Sequence, residues 1–260
     1  MNYRVWGWLF FPLLLFCVWQ IGAWRADPLL LPSPGSTLQA LGELAASGEL
    51  WQELSHSLYR MLIGVLIGAV VGIPFGLAIG SSRIFESLMG PAMPSIAATS
   101  SAIWAVLGLL WFGLSDGATI FVVAMTATPL FAINARDGIR AVDSDLVQLT
   151  QSMGFGRLAI ARKVLLPSIM PALFAGARLA LGFGWRVGLV AEALGSPSGV
   201  GFRLKQAIDL MRTSEVFAWS LAVILIMIVF ELAVLIPLER FAFRWRKPLS
   251  VEGEAGRAPA

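Results

Sequence analysis

Six long apolar stretches alternate with short polar ones along the chain: Val5–Trp24, Leu58–Gly80, Leu88–Phe112, Ala118–Ile133, Ile169–Leu194 and Val216–Pro237. Most are close to the roughly 20 residues that carry a helix across a hydrocarbon core. The third is interrupted early by Pro91 and Pro94. The first follows a short segment with one Arg4, like a signal peptide, yet it exceeds an h-region of about 7–15 residues and no A-x-A site follows, so it reads as a retained helix. The pattern predicts an all-α polytopic membrane protein of about six transmembrane helices.

The polar intervals orient these spans. Arg25–Ser55 carries Arg25 against Asp27, Glu43, Glu49 and Glu53, and the turn after the third span holds only Asp116. The interval Asn134–Pro167 holds Arg136, Arg140, Arg157, Arg162 and Lys163, and the stretch after the sixth span opens with Arg240, Arg244, Arg246 and Lys247. Positive side chains resist translocation, so both ends and the Asn134–Pro167 loop are expected inside (N-in/C-in). Arg203, Lys205 and Arg212 would then lie outside, a mild violation of the same rule. Composition agrees: 57% of residues are hydrophobic and 13% charged, which excludes a soluble globular domain or a disordered chain. One cysteine, Cys17, excludes a disulfide framework, and a net charge of +3 is too small to suggest nucleic acid.

Two stripes of small residues stand out. Gly64, Gly68, Gly72, Gly76 and Gly80 recur every four positions in the second span, and Ala172, Gly176, Ala180, Gly184 and Gly188 in the fifth. Such stripes let helix backbones approach closely in lipid, either within the chain or as a dimer seam. Gly113-Leu114-Ser115-Asp116-Gly117 fits the G-x-S-x-G pattern of a nucleophile elbow. The sole histidine, His56, has no evident way to reach Ser115, and the residues are ordinary turn formers. No phosphate-binding G-x-x-x-x-G-K-[ST] occurs, so an ATP site would have to lie on another polypeptide.

The loop Asn134–Pro167 encodes a short helix outside the membrane. Asp143-Ser144-Asp145 supplies N-cap candidates, Leu146, Leu149 and Met153 recur at helical spacing, and Gly154 with Phe155 forms a stop. The apolar stripe needs a cover, either a partner protein or the lipid interface.

These residues resemble type I ABC importer permeases, whose loop pattern is E-A-A-x3-G-x9-I-x-L-P. Gly154, nine residues, then Val164-Leu165-Leu166-Pro167 match the second half, whereas Gln148-Leu149-Thr150 stands where Glu-Ala-Ala is usual. Further stretches resemble the nitrate/sulfonate/taurine branch. They are Leu31-Pro32-Ser33-Pro34, Gly48-Glu49-Leu50-Trp51, Ser57-Leu58-Tyr59-Arg60, Trp111-Phe112-Gly113, Met170 to Gly176, Gly184-Trp185-Arg186-Val187 to Glu192, and Gly199-Val200-Gly201-Phe202. Trp104-Ala105-Val106 departs from the branch, which often has Pro there. The resemblance implies a type I ABC importer transmembrane fold. Residues 1–53 would hold the first helix and a periplasmic segment, 54–240 the transmembrane domain with its coupling helix near 143–155, and 241–260 a cytoplasmic tail. It implies a second permease subunit, two cytoplasmic ATP-binding subunits, and a periplasmic or lipid-anchored solute-binding protein, in the inner membrane of a bacterium. No cofactor is expected on this chain, and ATP and Mg belong to the partner ATPase. ATPase coupling would fall on Leu146, Gln148, Leu149, Thr150, Met153, Gly154, Val164, Leu166 and Pro167.

Charge inside the bilayer marks pathway candidates. Arg178 lies about 14 Å along the fifth span from Ile169 and Arg186 about 12 Å further, at 1.5 Å per residue. Either Arg178, Arg186 and Glu192 bias a cavity toward an anion, or they serve structure, with Glu192 anchoring the outer loop. Ser95, Thr99, Ser100 and Ser101 are further lining candidates. The competing classes are a secondary transporter, which would need two matching halves, and an intramembrane enzyme, which would need paired ionisable groups on spans.

Overall fold

The computed structural model of the chain describes residues 3–27, 29–237 and 240. The tail expected at 241–260, with Arg244, Arg246 and Lys247, lies outside the described residues. The order is α1 (Tyr3–Arg25), α2 (Pro34–Ala46), α3 (Glu49–Ser81), α4 (Arg83–Met89), α5 (Ala92–Ala98), α6 (Ser101–Phe112), α7 (Asp116–Arg140), α8 (Ser144–Ser152), α9 (Arg157–Ile160), α10 (Leu166–Gly195), α11 (Val200–Asp209) and α12 (Thr213–Phe230). A π-helical stretch, Ala161–Leu165, joins α9 to α10, and a second, Glu231–Leu235, follows α12. No strand occurs among the described residues. The chain divides into two compact units, Met1–Leu225 and Ile226–Ala260.

Glu49–Ser81, Asp116–Arg140, Arg157–Gly195 and Thr213–Ala233 are long and apolar enough to cross a membrane, and the bent pair Arg83–Ala98 and Ser101–Phe112 adds a fifth if it is one span. α1, with 23 residues, is about 34 Å long and has the length for another.

The third apolar stretch is not one helix, and its main break is not at the prolines. Pro91 caps α5, and Pro94 falls in its first turn, where amides lack intrahelical partners and a missing N–H costs little. The chain turns by 92° instead at Thr99–Ser100. Both residues are extended there, and the Ser100 hydroxyl accepts from the Ala102 amide at 3.3 Å to start α6. Short hydroxyl side chains compete with the helix for backbone groups, and three in a row end it.

α7 is the central element, with α3 and α10 packed on it. Val122, Val123, Ala127, Ala132 and Ala135 of α7 are fully buried. The glycine stripe of α3 lies on this face. A Cβ at Gly64 would fall 2.7 Å from the Val123 Cβ, at Gly68 2.6 Å from the Ala127 Cβ, and at Gly72 2.9 Å from the Phe131 Cβ. The stripe on α10 is looser, since Gly184 and Gly188 would meet Val123 at 3.3 and 3.4 Å. Both stripes therefore serve close packing within the chain.

α7 also runs to Arg140, beyond the apolar limit at Ile133, and Arg140 pairs with Glu86 of α4. Much of the interval read as a loop is thus helix, and only the stretch around α8 projects.

Candidate functional site

Three features qualify, each on a different part of the scaffold. The first is α8. The Asp143 carboxylate accepts from the Asp145 amide at 2.8 Å, capping the start. At the other end the Gly154 amide donates to the Gln151 carbonyl at 2.9 Å and the Phe155 amide to the Thr150 carbonyl at 3.3 Å. This is a Schellman stop, and it needs the left-handed φ of +79° that Gly154 adopts. Phe155 in turn carries the Lys163 ammonium 4.9 Å from its ring centre. No residue of α8 is buried. Leu146, Leu149 and Met153 stand 51%, 59% and 67% exposed, and Gln148 is exposed between them. The Thr150 hydroxyl turns back to the Leu146 carbonyl. Val164 lies in the π-helical stretch, and Leu166 and Pro167 open α10, so helix runs almost without break from Arg157 to Gly195.

The second feature is a buried polar cluster where α3, α10 and the start of α11 meet. The Arg60 side chain is 2% exposed and that of Glu192 1%, and Arg60 Nη1 donates to Glu192 Oε1 at 2.9 Å. Arg60 also donates to the Ser198 carbonyl at 2.7 Å and hydroxyl at 2.5 Å, and lies 2.6 Å from Asp116 Oδ1. Glu192 Oε2 accepts from the Ser57 hydroxyl at 2.7 Å and the Gly201 amide at 3.0 Å. Ser57 accepts from the Val200 amide at 2.9 Å, and Glu53 accepts from the Gly199 amide at 2.6 Å and from Arg203 at 2.9 Å. Three successive amides at the start of α11 are thus held by side chains of α3 and α10, with negative charge at the positive end of the helix. A Cβ at Gly199, where φ is +104°, would lie 2.5 Å from the Glu192 carboxylate. Of this cluster only Glu192 stands out from the sequence as a functional candidate; Ser57 and Arg60 enter it only through the branch resemblance and Glu53 only as a charge of the outer interval. The signal was there: Arg60 stands four residues before Gly64 and continues the buried stripe.

The third is a half-open cavity of about 260 Å³ at the α5/α6 bend, lined by Ile96, Ala97, Thr99, Ser101, Trp104, Thr126, Leu130, Phe183 and Val187. Of the expected pathway residues it takes Thr99 and Ser101. Ser95, Arg178, Arg186 and Glu192 are not in its lining. Ser95 donates to the Pro91 carbonyl at 2.8 Å, and Arg178 and Arg186 are exposed on α10. The G-x-S-x-G stretch is a turn: Ser115 donates to the Phe112 carbonyl at 2.9 Å and Asp116 binds Arg60. Among the described residues no group of three or more His, Cys, Asp or Glu side chains could hold a metal.

Residues 64–247 match the family of binding-protein-dependent transport system inner membrane components. The chain belongs to that family. It is 36% identical over 248 residues to a permease protein of Escherichia coli K12 assigned to aliphatic sulfonate transport, covering 93% of this chain and 92% of that one. Against the taurine transport system permease protein of the same organism it is 27% identical, covering 84% and 82%. The fold matches a methionine ABC transporter solved in an inward-facing conformation, with a TM-score of 0.64 at 17% identity over 76% of this chain and 96% of that one. The chain is therefore a permease subunit of an ABC importer, a transport component and not an enzyme. It works with a separate ATPase and a solute-binding protein. Neither a secondary transporter nor an intramembrane enzyme finds support.

Proposed function

We propose that this permease imports a small oxyanion of the sulfonate class across the inner membrane of a bacterium, N-in/C-in, as one of two permease subunits, the second being the same or a related chain. Two cytoplasmic ATPase subunits, which hold ATP and Mg, dock on α8, and a periplasmic or lipid-anchored binding protein delivers the solute. The names of the sulfonate and taurine relatives support the substrate class. The basic charges at Arg136, Arg140, Arg157, Arg162 and Lys163 support the orientation.

The observation that carries the reading is the capped, exposed α8. The chain has no phosphate-binding loop, so work from ATP must arrive by contact. A nine-residue helix with defined ends and an uncovered stripe of Leu146, Leu149 and Met153 is a rigid apolar handle. It leads through α9 into α10, so displacement of α8 is passed to the long helix bearing Arg178 and Arg186. Because Gln148 stands where the resembled pattern has Glu, contact rests on the apolar side chains more than on a charge pair.

The test is a cysteine at Gln148 or Gln151 in the assembled complex. A crosslink to the ATPase subunit through a thiol-to-amine bifunctional reagent is expected at one or both. Gly154→Val, which opposes the left-handed stop, or Leu149→Asp is expected to abolish uptake with the permease still inserted. Normal uptake by both variants and no crosslink would remove α8 from the coupling role.

A further inference from the structure

We propose that the cavity at the α5/α6 bend is the solute site within this permease, and that Arg186, whose guanidinium lies over the ring of the lining residue Phe183, supplies the positive potential that favours an oxyanion there. The inference rests on the import reading above and adds the place where the solute sits.

Size comes first. A water takes about 30 Å³ of liquid, so about 260 Å³ holds about eight or nine water-sized groups. A sulfonate with a two-carbon tail fits within it. The wall composition matches a small amphiphilic anion. Ile96, Ala97, Leu130 and Val187 offer apolar contact, and Thr99, Ser101, Trp104 and Thr126 offer polar groups. The Thr99 and Thr126 hydroxyls donate to the Ser95 and Val122 carbonyls one turn earlier, at 3.2 and 3.0 Å. Rotation about one bond redirects either. The Ser101 hydroxyl and the Trp104 indole N–H are not spent on a protein acceptor among the described residues. Ser101 also opens α6, so the amide-rich end of that helix, positive by its dipole, lies at the cavity.

The charge comes from the next layer. No lining residue is ionisable. Phe183 lines the cavity, and the Arg186 guanidinium carbon sits 5.8 Å from its ring centre, within cation–π reach. Among the described residues no carboxylate pairs with Arg186. Its charge therefore lies one side chain from the cavity lining.

The experiment uses Cys17→Ser as a cysteine-free background with Thr126→Cys, in the complex with its ATPase and binding protein. The thiol is modified with 2-sulfonatoethyl and with 2-trimethylammonioethyl methanethiosulfonate, and the ratio of the two rates is taken. Adding Arg186→Gln is expected to lower the anion-to-cation ratio at least about fivefold, an effect of the size one nearby charge produces in a half-solvated site. Arg186→Lys is expected to restore most of it. A ratio unchanged by Arg186→Gln, or a Thr126→Cys thiol inert to both reagents, overturns the proposal. Uptake of ethanesulfonate, taurine and nitrate by the unmodified complex is measured alongside. If none is taken up while the ratio responds to Arg186, the import reading of these anions fails and the electropositive cavity stands. If ethanesulfonate enters normally and the ratio does not respond, only the cavity assignment fails.

Discussion

Arg60 and Glu192 show how a single pair of side chains can hold together three helices. Each is almost fully removed from water, and each makes several hydrogen bonds besides the ion pair. A buried ion pair is not a net gain over an apolar pair of similar volume, but removal of one partner strands the other and costs about 3–5 kcal/mol. Arg60→Met and Glu192→Gln are each expected to lower the unfolding free energy of the purified permease by an amount of this order, seen as a fall in its melting temperature. The double variant Arg60→Met/Glu192→Leu is expected to recover a large part of the loss. Equal and small effects of all three, within about 1 kcal/mol, would mean that water or lipid headgroups already solvate the cluster. Gly199 belongs to the same argument. Its φ of +104° and the nearby Glu192 carboxylate leave no room for a Cβ, so Gly199→Ala is expected to release α11 from Glu53, Ser57 and Glu192 together.

At the scale of elements, the glycines sort by what lies opposite. Those of α3 between Gly64 and Gly76 press backbone on backbone against α7, whereas Gly42 in α2 has nothing within 4 Å and is exposed. Gly68→Val is expected to prevent accumulation of folded permease in the membrane, because an ideal Cβ already lies 2.6 Å from the Ala127 Cβ. Gly42→Ala is expected to be neutral or to stabilise by about 0.5–1 kcal/mol, since it removes only backbone freedom from a helix interior. Quantitative immunoblots of membranes and thermal unfolding in detergent check the pair. Comparable yields would show that α3 and α7 can separate without loss. The bend between α5 and α6 belongs to this scale too. It converts one apolar stretch into two short helices, and residues of both line the cavity.

For the whole molecule, the orientation has a direct check. On the Cys17→Ser background, Asp209→Cys at the end of α11 is expected to react with a membrane-impermeant maleimide in intact cells. Ser144→Cys at the start of α8 is expected to react only after permeabilisation. The reverse pattern would invert the assignment and remove α8 from contact with a cytoplasmic ATPase. The three positive residues expected outside are each paired, Arg203 with Glu49 and Glu53, Lys205 with Asp209 and Arg212 with Glu215.

The sequence by itself determined the properties that depend on local order along the chain. Apolar runs near 20 residues define lipid-crossing helices, Asp143 and Gly154 bracket α8 at its two ends, and a four-residue glycine period defines a face that must meet another helix closely. These are near-neighbour effects of hydrogen bonding, backbone freedom and lipid solvation, so they are written in consecutive residues. Only the tertiary structure decided which helix the glycine face meets and that Arg60 meets Glu192 across 132 positions of chain. It also decided that the third stretch breaks at Thr99–Ser100 rather than at its prolines, and that Phe183 both lines a cavity and carries Arg186 over its ring. Each of these depends on what lies across the interface, where the partner's volume and charge choose among alternatives that the local pattern leaves equal in energy.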